Sequence, residues 1–374
     1  MREIAGMPAK VAIERGVAAI VVFFLAIWPL AFDGQSYWVN TILTQTFVLG
    51  IAAASLTFLS AYGGMVSLAQ VALYGTAGII LGNLVATGEA KGLHLGWDPW
   101  LSVVAAIAIT TGIALVVGAV SSRSTGIYFL MITLTFAVIG NAFFTSVVDF
   151  GGFSGVAGID SYTPSWVGNP NINGEPARIY YISLVASVLV YVAIRLIVRT
   201  PFGIALQGVR DEPVRMRSLG YNVPLVRTLA FTLAGFFAAV SGILYAWTNG
   251  AVAPGTINLE QTVNLLIMCV IGGLARIEGA WLGAFVFVYL NNELFRGDSV
   301  PVLGGTFPTI IGFIFLAIVV VSPNGLLGIW DWIAAKLFGG PKGGSREPLR
   351  EFWNQASGRM RLKGGASTRP REQE

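Results

Sequence analysis

The stretch RTPFGIALQGVRDEPVRMRSLG, residues Arg199–Gly220, is a charged interruption in an otherwise apolar chain. It holds four arginines, two acids and two prolines, and long apolar runs lie before it at Ile179–Ile197 and after it at Thr228–Asn249. A helix needs about 20 mostly apolar residues to cross a bilayer. The pattern therefore predicts two membrane helices joined by a polar connection, and we call Arg199–Gly220 the charged segment.

The composition is that of a membrane protein. Of the 374 residues, 55% are hydrophobic and 11% are charged, whereas soluble domains carry about 25% charged residues. The single cysteine, Cys269, excludes an intrachain disulfide, and the single histidine, His94, makes neither a zinc site nor a histidine-based triad. The sequence contains no Walker A motif and no dinucleotide fingerprint. We therefore expect a protein that is not an enzyme, has no ATPase site of its own and binds no cofactor.

The apolar runs predict an all-α, polytopic membrane protein with about ten transmembrane helices. They are Gly16–Phe32, Val39–Leu59, Met65–Thr87, Leu101–Val120, Gly126–Val148, Ile179–Ile197, Thr228–Asn249, Thr262–Leu274, Gly279–Leu294 and Thr306–Val321. Two of them, Thr262–Leu274 and Gly279–Leu294, are shorter than a full crossing. They could instead form a re-entrant pair, which lowers the expected count to eight.

Charges in the connections predict the orientation. Arginine and lysine concentrate in short loops on the cytoplasmic side. The N-terminal residues, the loop with Arg123, the connection 198–227 and the C-terminal tail are basic, whereas the segments 88–100 and 149–178 are mainly acidic. We therefore expect both termini in the cytoplasm. The first apolar run is expected to be a retained helix rather than a signal peptide. The basic tail is expected to be mostly disordered and not to bind nucleic acid.

Apolar residues in the charged segment predict a helix-turn-helix. One face is defined by residues at intervals of three and four, namely Phe202, Leu206, Val209, Pro213 and Met216. Asp211 and Glu212 precede Pro213 as at the start of a second helix, and Gly220 is a natural stop. We expect this apolar face to dock on a soluble partner. An interfacial helix that rests on anionic lipid is the alternative.

The predicted spans contain almost no ionisable residues, which argues against a carrier that needs buried carboxylates for a coupling ion. Paired glycines, Gly63 and Gly64, are expected to break a helix just before polar residues, and a broken helix exposes backbone groups that can bind substrate. The candidate translocation pathway comprises Gly63, Gly64, Ser67, Gln70, Tyr74, Thr133, Thr135, Asn141, Gly272 and Gly273. Hydrogen bonding between helices is the alternative role for the polar members.

At several blocks the sequence resembles the LivM-type permease subunits of ATP-binding cassette (ABC) importers for branched-chain amino acids. The blocks are LSAYGGMVSLAQVALYGTAG (Leu59–Gly78), TGIYFLMITLTFA (Thr125–Ala137), GGFSGVAGI (Gly151–Ile159), the run Arg199–Leu274 and VVVSPNGLLG (Val319–Gly328). Together they cover most of the chain between Val39 and Gly328, and their combination is specific although each glycine-rich block alone is weak.

The resemblance implies a fold of roughly ten helices and a transport subunit that works with others. These partners are a second, LivH-like permease, two cytoplasmic ATP-binding subunits, which use ATP and Mg, and a periplasmic substrate-binding protein. It also implies a bacterial inner-membrane location and inward transport of an amino acid. The residues that it assigns to coupling with the ATPase are Phe202, Gly203, Leu206, Arg210, Asp211, Glu212 and Gly220.

The resemblance also suggests three regions. Residues 1–38 would form an N-terminal cytoplasmic segment and first helix, residues 39–328 the permease domain with a coupling loop at 198–227, and residues 329–374 a cytoplasmic tail. The sequence departs from the family at Pro213, Arg215 and Arg217, where small residues and an acid are usual, and at Met65 and Ala69. Import of urea or short amides, an ion-coupled secondary carrier and a passive channel for neutral solutes remain alternatives.

Overall fold

A computed structural model describes residues 38–85, 95–150, 152–159 and 176–296, together with residues 3–4, 7–8, 312, 325, 326 and 328. The chain divides into two compact units, residues 1–328 and 329–374, and every described residue belongs to the first. The predicted span Gly16–Phe32, nearly all of Thr306–Val321 and the basic tail lie outside the described residues.

The described fold consists almost entirely of helices. A π-helical turn at Trp38–Leu43 leads into α1. The α-helices are α1 Thr44–Gly63, α2 Gln70–Val85, α3 Pro99–Ser121, α4 Ile127–Ser146, α5 Pro176–Arg199, α6 Pro201–Asp211, α7 Pro213–Ser218, α8 Val223–Asn249, α9 Leu259–Gly272 and α10 Ile277–Arg296. Two-residue strands form two antiparallel pairs, β1 Glu3–Ile4 with β2 Met7–Pro8 and β3 Val156–Ala157 with β4 Ala251–Val252. Single 3₁₀ turns lie at Val148–Phe150, Gly152–Ser154 and Pro254–Ile257.

Polar residues mark where several helices begin. The Asp98 side chain accepts a hydrogen bond from the Trp100 backbone N–H at 2.9 Å at the start of α3. Asn222 accepts from Leu225 N–H at the start of α8. Each such cap satisfies a backbone donor that the helix itself leaves unpaired. The helix boundaries in this apolar chain are therefore set by short polar signals between the runs.

Helix α1 is the centre of the bundle, since 89% of its most apolar stretch is buried. It contacts α5, α8, α9 and α10. The Ser241 hydroxyl of α8 donates to the Val48 carbonyl of α1 at 2.6 Å, and Phe58 packs edge-on against Phe237 of α8. Hydroxyl-to-carbonyl bonds of this kind join helices where lipid gives no hydrophobic drive for helix association. They fix α8 along one side of α1.

Close backbone approach holds α2 and α8 together. A Cβ added at Gly242 of α8 would lie 2.9 Å from the carbonyl carbon of Tyr74 in α2, and closer still to its oxygen. Small residues at such crossings let two helix backbones touch. The glycine content of the sequence is thus used in part for tight packing of the helix bundle.

Helices α3, α4 and α5 are peripheral, because only 22–28% of their most apolar stretches is buried. Their exposed faces carry large apolar side chains, including Val116, Met131 and Leu189. An apolar face that covers no protein core is expected where a helix borders lipid or another membrane subunit. Both the composition and this burial pattern fit a multi-pass membrane protein.

The predicted count of ten spans is not confirmed. Five described helices are long and apolar enough to cross a membrane, and the pair α9 and α10 makes a sixth if it counts as one bent span. The chain bends by 117° between the two helices, and α9, with 14 residues, reaches only about 21 Å. The structure therefore joins the two weak runs into one bent pair, and either a broken span or a re-entrant loop fits it.

The predicted span Met65–Thr87 is wrong at its start. The helix begins at Gln70 and has 16 residues, so it reaches about 24 Å, short of the bilayer core. The reason is the glycine pair before it, which ends α1 and leaves six residues outside any helix. This interruption is the first feature of the candidate site.

Candidate functional site

The chain leaves the helical conformation between α1 and α2, and we call Gly64–Ala69 the first break. Helix α1 ends at Gly63, and Gly64 takes a left-handed φ of 63° that favours glycine. The Met65 N–H returns to the Leu59 carbonyl at 3.1 Å, which closes the helix end. The glycine pair therefore breaks the helix as the sequence predicts.

Three of the predicted pathway residues converge on the first break and are fully buried there: Ser67, Gln70 and Thr133. The Leu68 N–H donates to the Thr133 hydroxyl of α4 at 3.2 Å, and the Ser67 hydroxyl accepts from the Ala69 N–H at 3.2 Å. These side chains replace some of the helical hydrogen bonds that the break removes. A non-helical segment is thereby stabilised inside the bundle.

Gln70 has unused hydrogen-bonding capacity. Its Oε1 accepts from the Ser55 hydroxyl of α1 at 3.3 Å, while its Nε2 has no hydrogen-bond partner within the described residues. A buried amide donor without a partner costs free energy of about 1–3 kcal/mol. A ligand carboxylate or carbonyl at this place would satisfy it.

Three other predicted pathway residues on α2 and α4 have different surroundings. Tyr74 lies one turn after Gln70 and packs edge-on against Tyr245 of α8, with 5.2 Å between the ring centroids. Thr135 is exposed on α4 and donates to the Met131 carbonyl of its own helix, and its place in the pathway stays a prediction. Asn141 accepts from Thr145 on α4, two turns beyond Thr133. Thr133 and Thr135 point in different directions because neighbours two apart on a helix do not share a face.

The second glycine pair ends α9, and we call Gly273–Arg276 the second break. Gly272 packs against Gly279 of α10 so closely that neither has room for a Cβ. A Cβ at Gly325 would lie 2.5 Å from the Gly273 nitrogen, so the chain returns to this break further along. The Ser60 hydroxyl of α1 donates to the Leu274 carbonyl at 3.3 Å. The C-terminal end of α1 therefore lies beside both breaks.

The charged segment forms two helices at the places that the sequence predicts. Thr200 caps α6, with its hydroxyl accepting from the Gly203 N–H at 3.3 Å, and α7 begins at Pro213. Gly220 has a left-handed φ of 88° just after α7. A Cβ at Gly203 would lie 2.5 Å from the carbonyl carbon of Val198 and closer still to two backbone oxygens. The corner between α5 and α6 is therefore tight and leaves room only for glycine.

The predicted apolar face does not face a partner, and this expectation is corrected. Leu206 and Val209 are completely buried within the chain's own bundle, and Phe202 and Met216 pack partly against the same core. A hydrophobic face of a short helix is stabilised by the nearest apolar surface, which here is the end of the bundle. The outward surface carries the exposed residues Ile204, Arg210, Asp211, Glu212, Val214, Arg215, Arg217 and Gly220.

Arg210 connects this surface to the first break. Its Nη1 donates to the Ala61 carbonyl in the last turn of α1, and its Nε donates to Asp211 Oδ1 at 2.7 Å. The hydrogen bond from Arg210 lowers the pKa of the Asp211 carboxyl, and the nearby positive charge acts in the same direction. The aliphatic part of the Arg210 side chain lies over Gly64. A Cβ added at Gly64 would lie 2.5 Å from Arg210 Cγ. A cation at a helix C-terminus is favourably placed for the helix dipole.

A second arginine links α5 to the second break. Arg195 forms an ion pair with Glu278 in the first turn of α10, and the Tyr191 hydroxyl donates to the same carboxylate at 3.0 Å. The sequence analysis missed this pair, together with Ser55 and Ala61. Two signals for this pair were present in the sequence: Arg195 lies one turn before the end of a span, and Glu278 follows a glycine pair. That the two residues pair with each other could be seen only in the tertiary structure.

These features define a class of protein: a polytopic membrane protein whose helices are broken at two places, with an adjoining polar segment in contact with the first of them. A family described as "Branched-chain amino acid transport system / permease component" matches residues 39–321. Because the match covers well over half of the chain, the chain belongs to this permease family.

Curated relatives are similar over shorter regions. The permease protein LivM of the high-affinity branched-chain amino acid transport system of Salmonella typhimurium is 28% identical over 152 residues, which are 40% of this chain and 34% of LivM. A probable branched-chain amino acid transport permease protein LivH of Methanocaldococcus jannaschii is 26% identical over 159 residues, 41% of this chain and 49% of LivH. The autoinducer 2 import system permease protein LsrC of Klebsiella pneumoniae is 35% identical over 105 residues, 26% of this chain and 30% of LsrC. No solved structure matches the chain.

Proposed function

We propose that this chain is a transmembrane subunit of an ABC importer that moves a branched-chain or related amino acid inward across the bacterial inner membrane. Transport would occur by alternating access, driven by ATP and Mg bound to two partner subunits. A second permease and a periplasmic substrate-binding protein would complete the assembly. The observation that carries this proposal is the hydrogen bond from Arg210 to Ala61, which joins the outward surface of the charged segment to the first break.

We infer that α5 and α6 move as one body, because the corner at Gly203 is tightly packed and only Thr200 separates the two helices. A partner that displaces α6 therefore displaces both the Arg210 contact with α1 and the Arg195 contact with α10. A ligand or partner shifts a conformational equilibrium only by its differential affinity for the two states. ATP binding in the partner supplies that difference, which explains why the spans need few ionisable groups.

The buried groups at the first break support a small zwitterionic or neutral substrate. The free Gln70 amide can donate to a carboxylate, and the surrounding core, with Met65 and Tyr74, suits an aliphatic side chain. The names of the LivM and LivH relatives favour a branched-chain amino acid. The similarity to LsrC, a permease protein of an autoinducer 2 import system, gives autoinducer 2 as a second candidate substrate. Urea and short amides are further candidates.

Uptake of labelled leucine into proteoliposomes tests the proposal. The chain is co-expressed with its ATP-binding subunits, second permease and binding protein, and autoinducer 2 and urea are compared as substrates. We expect leucine uptake only when ATP is present on the side of the membrane where the ATP-binding subunits lie. Uptake driven by an ion gradient without those subunits would support a secondary carrier, and flux without ATP or binding protein would support a channel.

The Arg210→Gln variant tests the hydrogen bond from Arg210 to Ala61, on which the proposal depends. A hydrogen bond from a charged group contributes about 1.5–3 kcal/mol, so its loss predicts at least about tenfold slower ATP-driven uptake. ATP hydrolysis by the assembled complex should persist, because the substitution leaves the partner subunits untouched. Arg215→Gln is the matched control, since Arg215 lies exposed on α7. Equal uptake by both variants would show that Arg210 does not couple the two regions.

A further inference from the structure

An exposed apolar stripe on α8 extends to the turn that joins this helix to α7. In the first half of α8 the exposed residues are Leu225, Leu229 and Phe236, which recur at intervals of four and seven and therefore share one face. Leu219 and Tyr221, just before the helix, are 66% and 47% exposed. Exposed apolar side chains thus continue from the side of a membrane helix onto the end of the charged segment.

The length of α8 places this turn at the level of the lipid headgroups. With 27 residues, the helix reaches about 40 Å. The hydrocarbon core of a bilayer is about 30 Å thick, and the headgroup layers bring the total to about 40–45 Å. The start of α8 therefore lies among the headgroups. An exposed tyrosine such as Tyr221 is stable there because its ring is apolar and its hydroxyl is polar.

Backbone hydrogen bonds keep Arg217 close to this level. The Gly220 N–H donates to the Arg217 carbonyl at 3.0 Å, and the Tyr221 N–H donates to the Met216 carbonyl at 3.0 Å. Met216 packs partly against the core of the bundle, whereas the Arg217 side chain is exposed. The turn is compact, so the end of α7 and its arginine lie beside the headgroup layer.

A second loop brings an arginine to the same end of the bundle. Ser122, just beyond the end of α3, is joined to Thr228 in the second turn of α8 by a hydrogen bond of 2.8 Å between their hydroxyls. The next residue, Arg123, is exposed, and Tyr128 in the first turn of α4 is 69% exposed. Exposed arginine and tyrosine side chains therefore occur on two loops that lie beside the start of α8.

The positive charges on these two loops have no protein counterions. Residues 121–130 and 213–227 contain no acidic residue. Within the part of the chain that the structure describes, neither Arg123 nor Arg217 forms an ion pair. A basic side chain near a negatively charged bilayer surface strengthens membrane binding by about fivefold. An anionic headgroup is therefore the partner that this position and this charge favour.

We propose that Arg123 and Arg217 bind the phosphate groups of anionic phospholipids, while Tyr128, Leu219 and Tyr221 insert among the headgroups. We call these five residues the headgroup surface. A guanidinium can donate two parallel hydrogen bonds to a phosphate. Helix α7 has no buried residue, so the lipid contact rather than internal packing would hold it in place. The inference depends on the membrane location of the chain and not on the proposed transport.

The position of the surface favours lipid over a soluble protein. Its apolar members adjoin the exposed stripe on α8, which lies at membrane depth, and its arginines lie at the headgroup level. Ile204, which is 65% exposed on α6, and Arg210 are not part of it. A soluble partner can therefore still approach α6 while α7 rests on the membrane.

Hydrogen-exchange mass spectrometry of the full chain in lipid nanodiscs tests the site without any partner subunit. Discs of phosphatidylcholine alone are compared with discs in which a third of the lipid is phosphatidylglycerol. We expect amide exchange in residues 213–222 to slow by about fivefold or more when phosphatidylglycerol is present. Exchange in the core of α1 should be the same in both kinds of disc, because α1 is buried inside the bundle.

Variants of Arg217 separate charge from packing. Arg217→Gln removes the charge and should abolish most of the slowing, whereas Arg217→Lys keeps the charge and should preserve it. Arg178→Gln is the matched control, because Arg178 is exposed near the start of α5, about 30 Å along that helix from the charged segment. It should respond to phosphatidylglycerol as the wild type does. Arg123→Gln provides a second test on the other loop, with the same expected loss in residues 121–128.

Equal exchange in the two lipids would overturn the proposal, as would a wild-type response of both Arg217→Gln and Arg123→Gln. If residues 213–222 are protected only when purified ATP-binding subunits are added, in phosphatidylcholine discs as well, the surface takes a protein and the lipid site is refuted. None of these results affects the importer assignment, which rests on ATP-driven uptake. Failure of uptake would likewise leave the lipid site standing if the exchange results hold.

Discussion

Replacing Gly203 by alanine adds one methyl group at the corner between α5 and α6. This change should disturb the corner more than a methyl group added at any other position of the charged segment. The new Cβ would lie 2.5 Å from the Val198 carbonyl carbon, whereas carbon atoms pack at about 3.5–4.0 Å. Because the obstacle is backbone, α6 must move away by about 1 Å. Overpacking of this kind costs about 1–3 kcal/mol, and displacement of the Gly203 N–H from its Thr200 cap adds about 1 kcal/mol.

The free energy of unfolding is expected to fall by about 2–4 kcal/mol, which can be measured as a lower thermal unfolding midpoint of the purified chain. ATP-driven uptake should also be slower. Gly208→Ala is the matched control on the same helix. Its Cβ would meet the Met216 sulfur at 2.8 Å, and a flexible methionine side chain can move aside. If Gly203→Ala and Gly208→Ala have the same midpoint and the same uptake, the tight corner does not transmit motion.

Three further substitutions test other contacts. Gly242→Ala should destabilise the chain by about 3 kcal/mol or prevent folding, because the Cβ would strike the Tyr74 backbone; normal yield and melting would contradict this packing. Glu278→Gln should cost only about 0.5–1 kcal/mol, since the pair with Arg195 is partly exposed, and a double-mutant cycle measures the coupling. Thr133→Val should cost about 1 kcal/mol by removing the acceptor for a backbone N–H of the first break, and wild-type melting would show that this bond is unimportant.

Local signals in the sequence predicted much of this structure. Glycine pairs at Gly63–Gly64 and Gly272–Gly273 end helices at the expected residues, and Pro213 begins a second short helix in the charged segment. Such residues act through their own backbone conformation, so no knowledge of neighbours is needed. Membership of the permease family, which the resemblance implied, is confirmed by the match over residues 39–321.

The errors concern what each helix faces. The apolar face with Leu206 was expected to dock on a partner but is buried in the same chain. Periodicity identifies an apolar face without identifying what covers it. Length and hydropathy left Thr262–Leu274 and Gly279–Leu294 open between two spans and a re-entrant pair, and there the chain forms one pair bent by 117°. Tertiary contacts decide these points.

The bonds at the end of α1 also limit how many intermediate states the protein can populate. Ser60 bonds the second break and the neighbouring Ala61 bonds the charged segment through Arg210. Adjacent residues of one helical turn cannot move independently, so the end of α1 links the second break to the charged segment. A state in which the charged segment has moved and the second break is at rest would have to sever one of these bonds. The two movements are therefore expected to be concerted, with one rate constant for probes placed on the charged segment and at the second break.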